Sequence, residues 1–395
     1  MPARSQAPHH LDTQPGHAAI AVSNEADIVV IGAGAVGSAI AYGLAGPGRK
    51  VLVLDGGDGD IRSAQVNFGL VWVQGKGPLL PPYQTLSRTS ADLWPEFSRE
   101  IGALAQLPLQ YEKPGGLAFC LGEDAFEQRR TMLVKLRADC GSNDDDFEML
   151  ERPALERLLP GIRFGPDVTG ASLGRHDGHV NPLRLLRALH AGMQRRGATL
   201  LRERRVTDIR TVGSGFEVVT GGETLRAGRV VLAAGHGTMP LAARLGMAIP
   251  VHPERGQILV TERVAPFFPY PASGIRQTGD GTVMLGTSNE EVGFDLGVTA
   301  ATGARMARDA LRVMPDLARL RLVRQWAGLR ILTPDSYPIY MQSPDFPGAF
   351  VAVCHSGVTL CAFHATQLAE AIAAGALPAR LAPFHAGRFH VPHPA

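Results

Sequence analysis

Cysteine is scarce in this chain of 395 residues. The four present, Cys120, Cys140, Cys354 and Cys361, have neither zinc-ligand spacing nor the density of a disulfide framework. Such usage suits a reducing compartment, so a cytoplasmic protein is expected. Long apolar runs are missing too: no stretch approaches the ~20 residues of a membrane-spanning helix. Residues 1–24 lack the apolar segment of a secretion signal, and their Pro-, His- and Ala-rich composition reads as a flexible extension. Neither sign of charge is in excess, with 39 basic against 37 acidic residues and a net +2. That balance gives no electrostatic case for a nucleic-acid or anionic-membrane partner. Histidines near the ends (His9, His10, His17, His385, His390, His393) fall in tails where solvated surface is the simplest role, and no metal site is expected. No internal repeat is visible, and 45% hydrophobic content is enough for two sizeable cores.

What is present is a glycine loop in the right surroundings. Asp27-Ile28-Val29-Val30-Ile31 reads as a buried parallel strand that runs into Gly32-Ala33-Gly34-Ala35-Val36-Gly37. That loop opens a helix over Ser38–Leu44, and a second apolar strand, Lys50-Val51-Leu52-Val53-Leu54, ends on Asp55. In such a unit Gly32 makes the tight turn, Gly34 lets the backbone approach a pyrophosphate, and Gly37 lets the helix pack closely on the strand. The helix start offers N–H groups to phosphate, and Asp55 accepts the hydroxyls of an adenosine ribose. A dinucleotide-binding unit is expected.

Further on, Asn181 is a good N-cap and Pro182 suits the first turn of a helix. Leu183, Leu185, Leu186, Leu189 and Met193 mark its buried face, and Gly197 stops it. His179 reads as a cap of the same helix. Strand signals follow at Thr199–Arg202, Val206–Thr211, Phe216–Thr220 and Arg229–Gly235. Between Ile249 and Gly297 the pattern changes to hairpin-forming strands at Gln257–Thr261, Gly274–Thr278 and Thr282–Thr287, which predicts a second, antiparallel domain over one face of the cofactor. The chain closes with a strand at Ala349–Val353, a turn at His355–Thr359 and a helix over Cys361–Ala374. The acidic run 142–146 reads as a solvated turn.

In ordered, separated segments the chain resembles the D-amino-acid-oxidase superfamily of FAD-dependent amine oxidoreductases, over roughly residues 25–390. The segments include the glycine loop, Arg62–Gly69, Asp177–Pro182, Val231–Gly235, Arg255-Gly256-Gln257, Leu285–Glu290, Trp326–Asp335 and Cys354–Thr359. Within the superfamily it is most similar to hydroxyproline dehydrogenases, opine oxidases and hydrogen cyanide synthase. The resemblance implies an α/β fold: a discontinuous Rossmann-like FAD-binding domain (25–82, 147–245 and 325–390) with an inserted antiparallel-sheet substrate domain (83–146 and 246–324). It implies cofactor contacts at Ser63, Gln65 and Asn67, at Val206, Ala234 and Gly235, and at Gly357, Val358 and Thr359, whose amides face the flavin. It also puts Arg330 on the substrate carboxylate, where a planar guanidinium makes two parallel hydrogen bonds; a structural ion pair with Asp335 is the alternative. His355 becomes a second polar substrate contact or proton acceptor, a satisfied structural histidine being the alternative, with His252 ranking behind it. Trp72 and Trp326 read as core or pocket wall.

Two departures from sarcosine oxidases matter. The cysteine that carries their flavin falls here at Gly328, so FAD is expected to be non-covalent. Their oxygen-activating lysine falls at Met284, which cannot supply positive charge. The expected activity is therefore a dehydrogenase that oxidises the C–N bond of an amino or imino acid, such as cis-4-hydroxy-D-proline or an opine. It would pass a hydride to flavin N5 and electrons onward to partner electron-transfer subunits. The rivals are an O₂-using glycine, sarcosine or D-amino-acid oxidase, a non-catalytic FAD-binding subunit of a larger oxidoreductase, and a nicotinamide-linked reductase.

Overall fold

The computed structural model describes residues 24–57, 63–141 and 146–389. The extension at 1–23, Arg62, residues 142–145 of the acidic run and the terminal His390 and His393 lie outside the described residues. Asp146, last of the acidic run, is not a solvated turn residue: it is buried and accepts from Arg88 at 2.9 Å, with the His176 ring 3.2 Å away.

Glu25–Ile31 (β1) is fully buried over its last four residues, as a central parallel strand must be. It pairs in parallel with Val51–Leu54 (β2) on one side and with Thr224–Leu232 on the other. Thr224–Leu232 pairs in parallel with Ala349–Val353. The sheet order is Ile339–Gln342, Ala349–Val353, Thr224–Leu232, β1, β2, Thr199–Leu201, and the Val206–Val212/Gly215–Thr220 hairpin adds to Thr224–Leu232. One face is covered by Ala35–Leu44 (α1), Pro81–Ala105, Pro182–Arg195 and a C-terminal helix. That last helix runs through Cys361–Phe363, a π turn at His364–Leu368, and Ala369–Ala374. Trp94, Tyr42 and Phe363 are the large side chains of the core beneath them.

Asn181 caps Pro182–Arg195 as expected, accepting from the Leu183 and Arg184 N–H groups at 3.2 Å. Two readings need correction there. Leu183 is 52% exposed, because position N2 of this helix faces outward. His179 caps nothing: it lies in the short strand Gly178–His179, paired with Leu70.

The second domain has two antiparallel sheets. One orders Ile275–Gln277, Thr282–Gly286, His252–Arg263 and Leu322–Leu332. The other orders Gly116–Leu121, Val168–Gly174 and Phe147–Glu151. Residues 147–174, given to the cofactor domain by the sequence boundaries, thus share a sheet with Gly116–Leu121, because Val168–Gly174 pairs on both sides.

The β1–α1 crossing is tighter than any side chain allows. A Cβ at Gly37 would lie 1.9 Å from the Gly32 carbonyl oxygen, and one at Gly32, where φ is +103°, would meet the Ala233 carbonyl at 2.5 Å. Gly37→Ala is expected to lower the unfolding free energy by roughly 1–3 kcal/mol through overpacking. Urea denaturation of the variant checks this, and an unchanged midpoint would show that the crossing relaxes freely.

Candidate active site

The parallel strands end side by side, and a cavity of about 640 Å³ opens at their carboxyl ends. Its walls come from the glycine loop, the 63–72 segment, the turn at 233–237, the antiparallel sheet and the turn at 354–359. At one end α1 starts at Gly34 with no side chain capping it and no acid in its first turn. The space a Gly34 side chain would take is open for 4 Å around. An uncapped helix start beside an open glycine is a cradle for phosphate. Asp55 lines the cavity next to it. Its Oδ2 accepts from the Ala33 N–H at 2.7 Å and its Oδ1 from the Gly57 N–H at 3.0 Å. A carboxylate in that position is the group that accepts ribose hydroxyls in a dinucleotide-binding unit.

Most of the sequence-derived cofactor residues meet in this cavity: Gly32, Gly34, Ala35, Val36, Asp55, Ser63, Asn67, Val206, Ala234, Gly235, Gly357, Val358 and Thr359. Three do not line it. Ala33 holds Asp55 through its N–H and accepts from His190 Nε2 at 2.9 Å through its carbonyl. Gly37 serves the helix–strand packing. Gln65 is exposed at the surface of its loop, whereas Asn67 turns inward and fixes that loop by accepting from the Gly69 N–H at 2.7 Å.

Opposite the phosphate cradle lies a cluster of polar groups. Arg330 projects from Leu322–Leu332 and does not touch Asp335, whose carboxylate is taken by Arg388 at 2.8 and 3.0 Å. Arg330 donates instead to Glu254 at 2.6 Å and to Thr287 Oγ1 at 2.5 Å. His355 stands nearby. Burial, then the Lys76 and Arg330 charges, push its pKa down to about 3. It is therefore a neutral imidazole at physiological pH, which removes the expectation that it titrates near neutrality. His252 is exposed and outside the cavity. His236 takes the place beside it instead, edge-on to Phe294 at 5.3 Å with its buried Nε2 lacking a protein partner. Sequence reasoning missed His236, Glu254, Thr287, Phe294 and Lys76, since nothing local marks any of them.

Trp72 lines the cavity, while Trp326 packs against Ile258, Val260 and Met284. A side chain at position 328 has no room: its Cβ would lie 1.8 Å from Val66 Cγ2. Met284 is indeed no cation, but one stands next to it. The buried Arg276 donates to Met284 Sδ at 3.4 Å and to the Val180 carbonyl at 2.7 Å, and it does not line the cavity.

A cleft at the switch from strand to helix, with a phosphate cradle at one end and a basic cluster around Arg330 and Lys76, defines a dinucleotide-dependent oxidoreductase. Residues 27–371 match the DAO family, described as FAD dependent oxidoreductase, and the chain belongs to that family, with FAD as its cofactor. It is 41% identical over 367 residues to an opine oxidase subunit of Agrobacterium tumefaciens (strain Ach5), covering 93% of this chain and 98% of that protein. The hydrogen cyanide synthase subunit HcnC of Pseudomonas aeruginosa is 28% identical, covering 93% and 97%. Among solved structures, glycine oxidase from Geobacillus kaustophilus superposes with a TM-score of 0.84 at 24% identity, covering 92% of this chain and 98% of that one. That likeness establishes the shared fold.

Acid should destabilise this protein. Burial holds the pKa of His179 near 4, and those of His355 and His364 near 3, so three sites that charge in the unfolded chain stay neutral when folded. Burial also raises Asp177 to about 7, so the folded chain retains one proton there that the unfolded chain loses. From about pH 6.5 down to about 4.5 the unfolded state binds three more protons at the histidines and one fewer at Asp177, a net two, and stability falls with pH. Urea unfolding at about pH 7 and about pH 5 measures this. A protein more stable at the lower pH would reverse the sign.

Proposed function

We propose that this chain oxidises the C–N bond of an amino or imino acid and hands the electrons to a partner subunit. The observation that carries the reading is the pairing of a fixed guanidinium, Arg330, with a neutral imidazole, His355, at the ring end of the FAD cavity. When bound, FAD supplies the hydride acceptor. Arg330 recognises the substrate carboxylate: its two terminal nitrogens each retain an N–H beyond the bonds to Glu254 and Thr287. Glu254 holds the guanidinium in one orientation, which lowers the ordering cost of binding. Neutral His355 can donate or accept a hydrogen bond without drawing a proton from solvent, so it suits an amine that arrives uncharged.

Resemblance to the opine oxidase subunits puts an opine, an amino acid carrying an N-carboxyalkyl group, ahead of cis-4-hydroxy-D-proline as substrate. Two observations support a partner subunit. The relatives at 41% and 39% identity are both named as subunits. The loop that brings Phe294 to the cavity also leaves Val292, Phe294, Leu296 and Val298 between 40% and 62% exposed. An apolar row of that kind is what an interface covers.

Arg330→Ala is expected to keep bound FAD and to lose roughly 3 kcal/mol of transition-state stabilisation, about 100-fold in kcat/KM. Anaerobic bleaching of the flavin by opines, D-amino acids, prolines and N-methylglycine identifies the substrate class, and turnover in the variant tests the residue. Undiminished kcat/KM would remove Arg330 from the mechanism.

A further inference from the structure

Lys76 is a cation of the cavity that carboxylate binding, as described, does not use. Lys76 lines the cavity from a turn shaped to present it. Gly75 and Gly77 flank it with φ of +74° and +70°, and a Cβ at Gly77 would lie 2.5 Å from the Leu80 carbonyl. The Lys76 N–H closes the turn on the Val73 carbonyl at 3.1 Å. Behind the turn, buried Asp177 accepts from the Val73 and Gln74 N–H groups at 2.5 and 3.2 Å. The Lys76 ammonium donates to Ser356 Oγ at 2.7 Å and lies 5.6 Å from the Tyr83 ring centroid. The Tyr83 hydroxyl donates to the same oxygen at 2.7 Å.

Among the described residues, no carboxylate lies within ion-pair distance of Lys76; Asp177 acts on it only from farther off, its oxygens committed to Val73 and Gln74. Ser356, with two donors on its oxygen, has its own hydroxyl proton left to give, and it too lines the cavity. The phosphate cradle and Asp55 would set the direction of a bound dinucleotide, and its isoalloxazine ring would then reach toward Ser356, His355 and Arg330, which line the same cavity.

We propose that Lys76, acting through Ser356, is the built-in countercharge for the negative charge that gathers on the flavin ring when it takes up two electrons, and that it raises the ring's reduction potential. Arg330 has a resident acid in Glu254, whereas Lys76 is held by neutral hydroxyls and faces the place where an anion forms. Burial lowers the Lys76 pKa to about 8, with Cys354 and Asp177 opposing that shift. The ammonium is thus charged at neutral pH and discharges as pH rises through about 8. Of the other groups facing it, Tyr83 and Cys354 are pushed up by burial, Cys354 to about 12, and stay neutral, His355 is neutral, and the Arg330 guanidinium is paired with Glu254; Asp177, raised to about 7, titrates in wild type and Lys76→Arg alike and so drops out of their comparison. This role depends on FAD but not on the identity of the substrate.

The test is the midpoint potential of the bound flavin in the holoenzyme, measured by anaerobic dithionite titration against a reference dye with no amino acid present. Near pH 7, Lys76→Met is expected to lower the potential by about 30 mV or more, a tenfold change in the two-electron equilibrium, while Lys76→Arg keeps the wild-type value. At about pH 9.5 the wild type should fall below Lys76→Arg by the same margin, a comparison that requires no charge-removing variant to fold. Equal potentials for wild type and Lys76→Met, or for wild type and Lys76→Arg at the higher pH, overturn the proposal. So does an unchanged potential with weakened substrate binding, which would make Lys76 a substrate ligand. None of these results depends on whether the amine-oxidation reading holds.

Discussion

Every feature of the site depends on three parallel strands ending at one level. The register sets Val30 against Val231 and Val231 against Phe350. The glycine loop, the Ala233–Gly237 turn and the Cys354–Thr359 turn therefore leave the sheet together, though some 320 residues of chain separate the first from the last. No local preference of any of the three loops would bring them into contact. The glycines at the crossing make the arrangement obligatory, because Gly32 and Gly37 close to backbone contact distance with each other and with Ala233. Packing at the sheet edge and the capacity to hold a dinucleotide are thus one property.

The Arg330 side of the cavity is organised by a second register. Glu254 and Arg330 face each other as a cross-strand pair between His252–Arg263 and Leu322–Leu332. Cross-strand neighbours meet without searching for a rotamer, so the guanidinium is oriented by the sheet and not by a flexible loop. A slip of one residue would turn Arg330 to the other face. Thr287, at the end of the neighbouring strand Thr282–Gly286, completes the clamp. The same sheet packs Gly328 against Val66, so that position has no room for the side chain of a cysteine.

Elements with a local signature were legible in the sequence. The glycine loop, β2 ending at Asp55, the Asn181-capped helix and the Ala349–Val353 strand all announce themselves within a dozen residues, by periodicity or by caps. Arg330 was legible through the segment around it. Its partner was not: Asp335 is close in sequence, but the sheet register delivers Glu254, 76 positions away, and commits Asp335 to Arg388. The cavity position of His355 is legible in its segment, but its depressed pKa is not, because burial and two cations are tertiary facts. Gln65 and Asn67 look alike in sequence, and only the turn onto Gly69 sends one inward and the other out. The thioether at Met284 was legible, but the buried Arg276 beside it was not, because only strand pairing brings Arg276 opposite Met284.

The small antiparallel sheet also reaches into the turn that carries Lys76. Asp177 follows the Val168–Gly174 strand of the small sheet, yet its carboxylate accepts from the Val73 and Gln74 N–H groups of the cofactor domain. Gln74 in turn accepts from Arg129, on the helix Glu123–Cys140, and from Ser172 on the small sheet. Gly174 and Gly116 leave the space this network needs, since side chains there would strike Asp177, at 2.2 and 2.7 Å. Burying that acid is unfavourable, which is why its pKa rises to about 7. Such a penalty is intelligible only if the turn it anchors must not move. That turn is the one carrying Lys76, so the small sheet, through Asp177, fixes the position of a charge that lines the cavity.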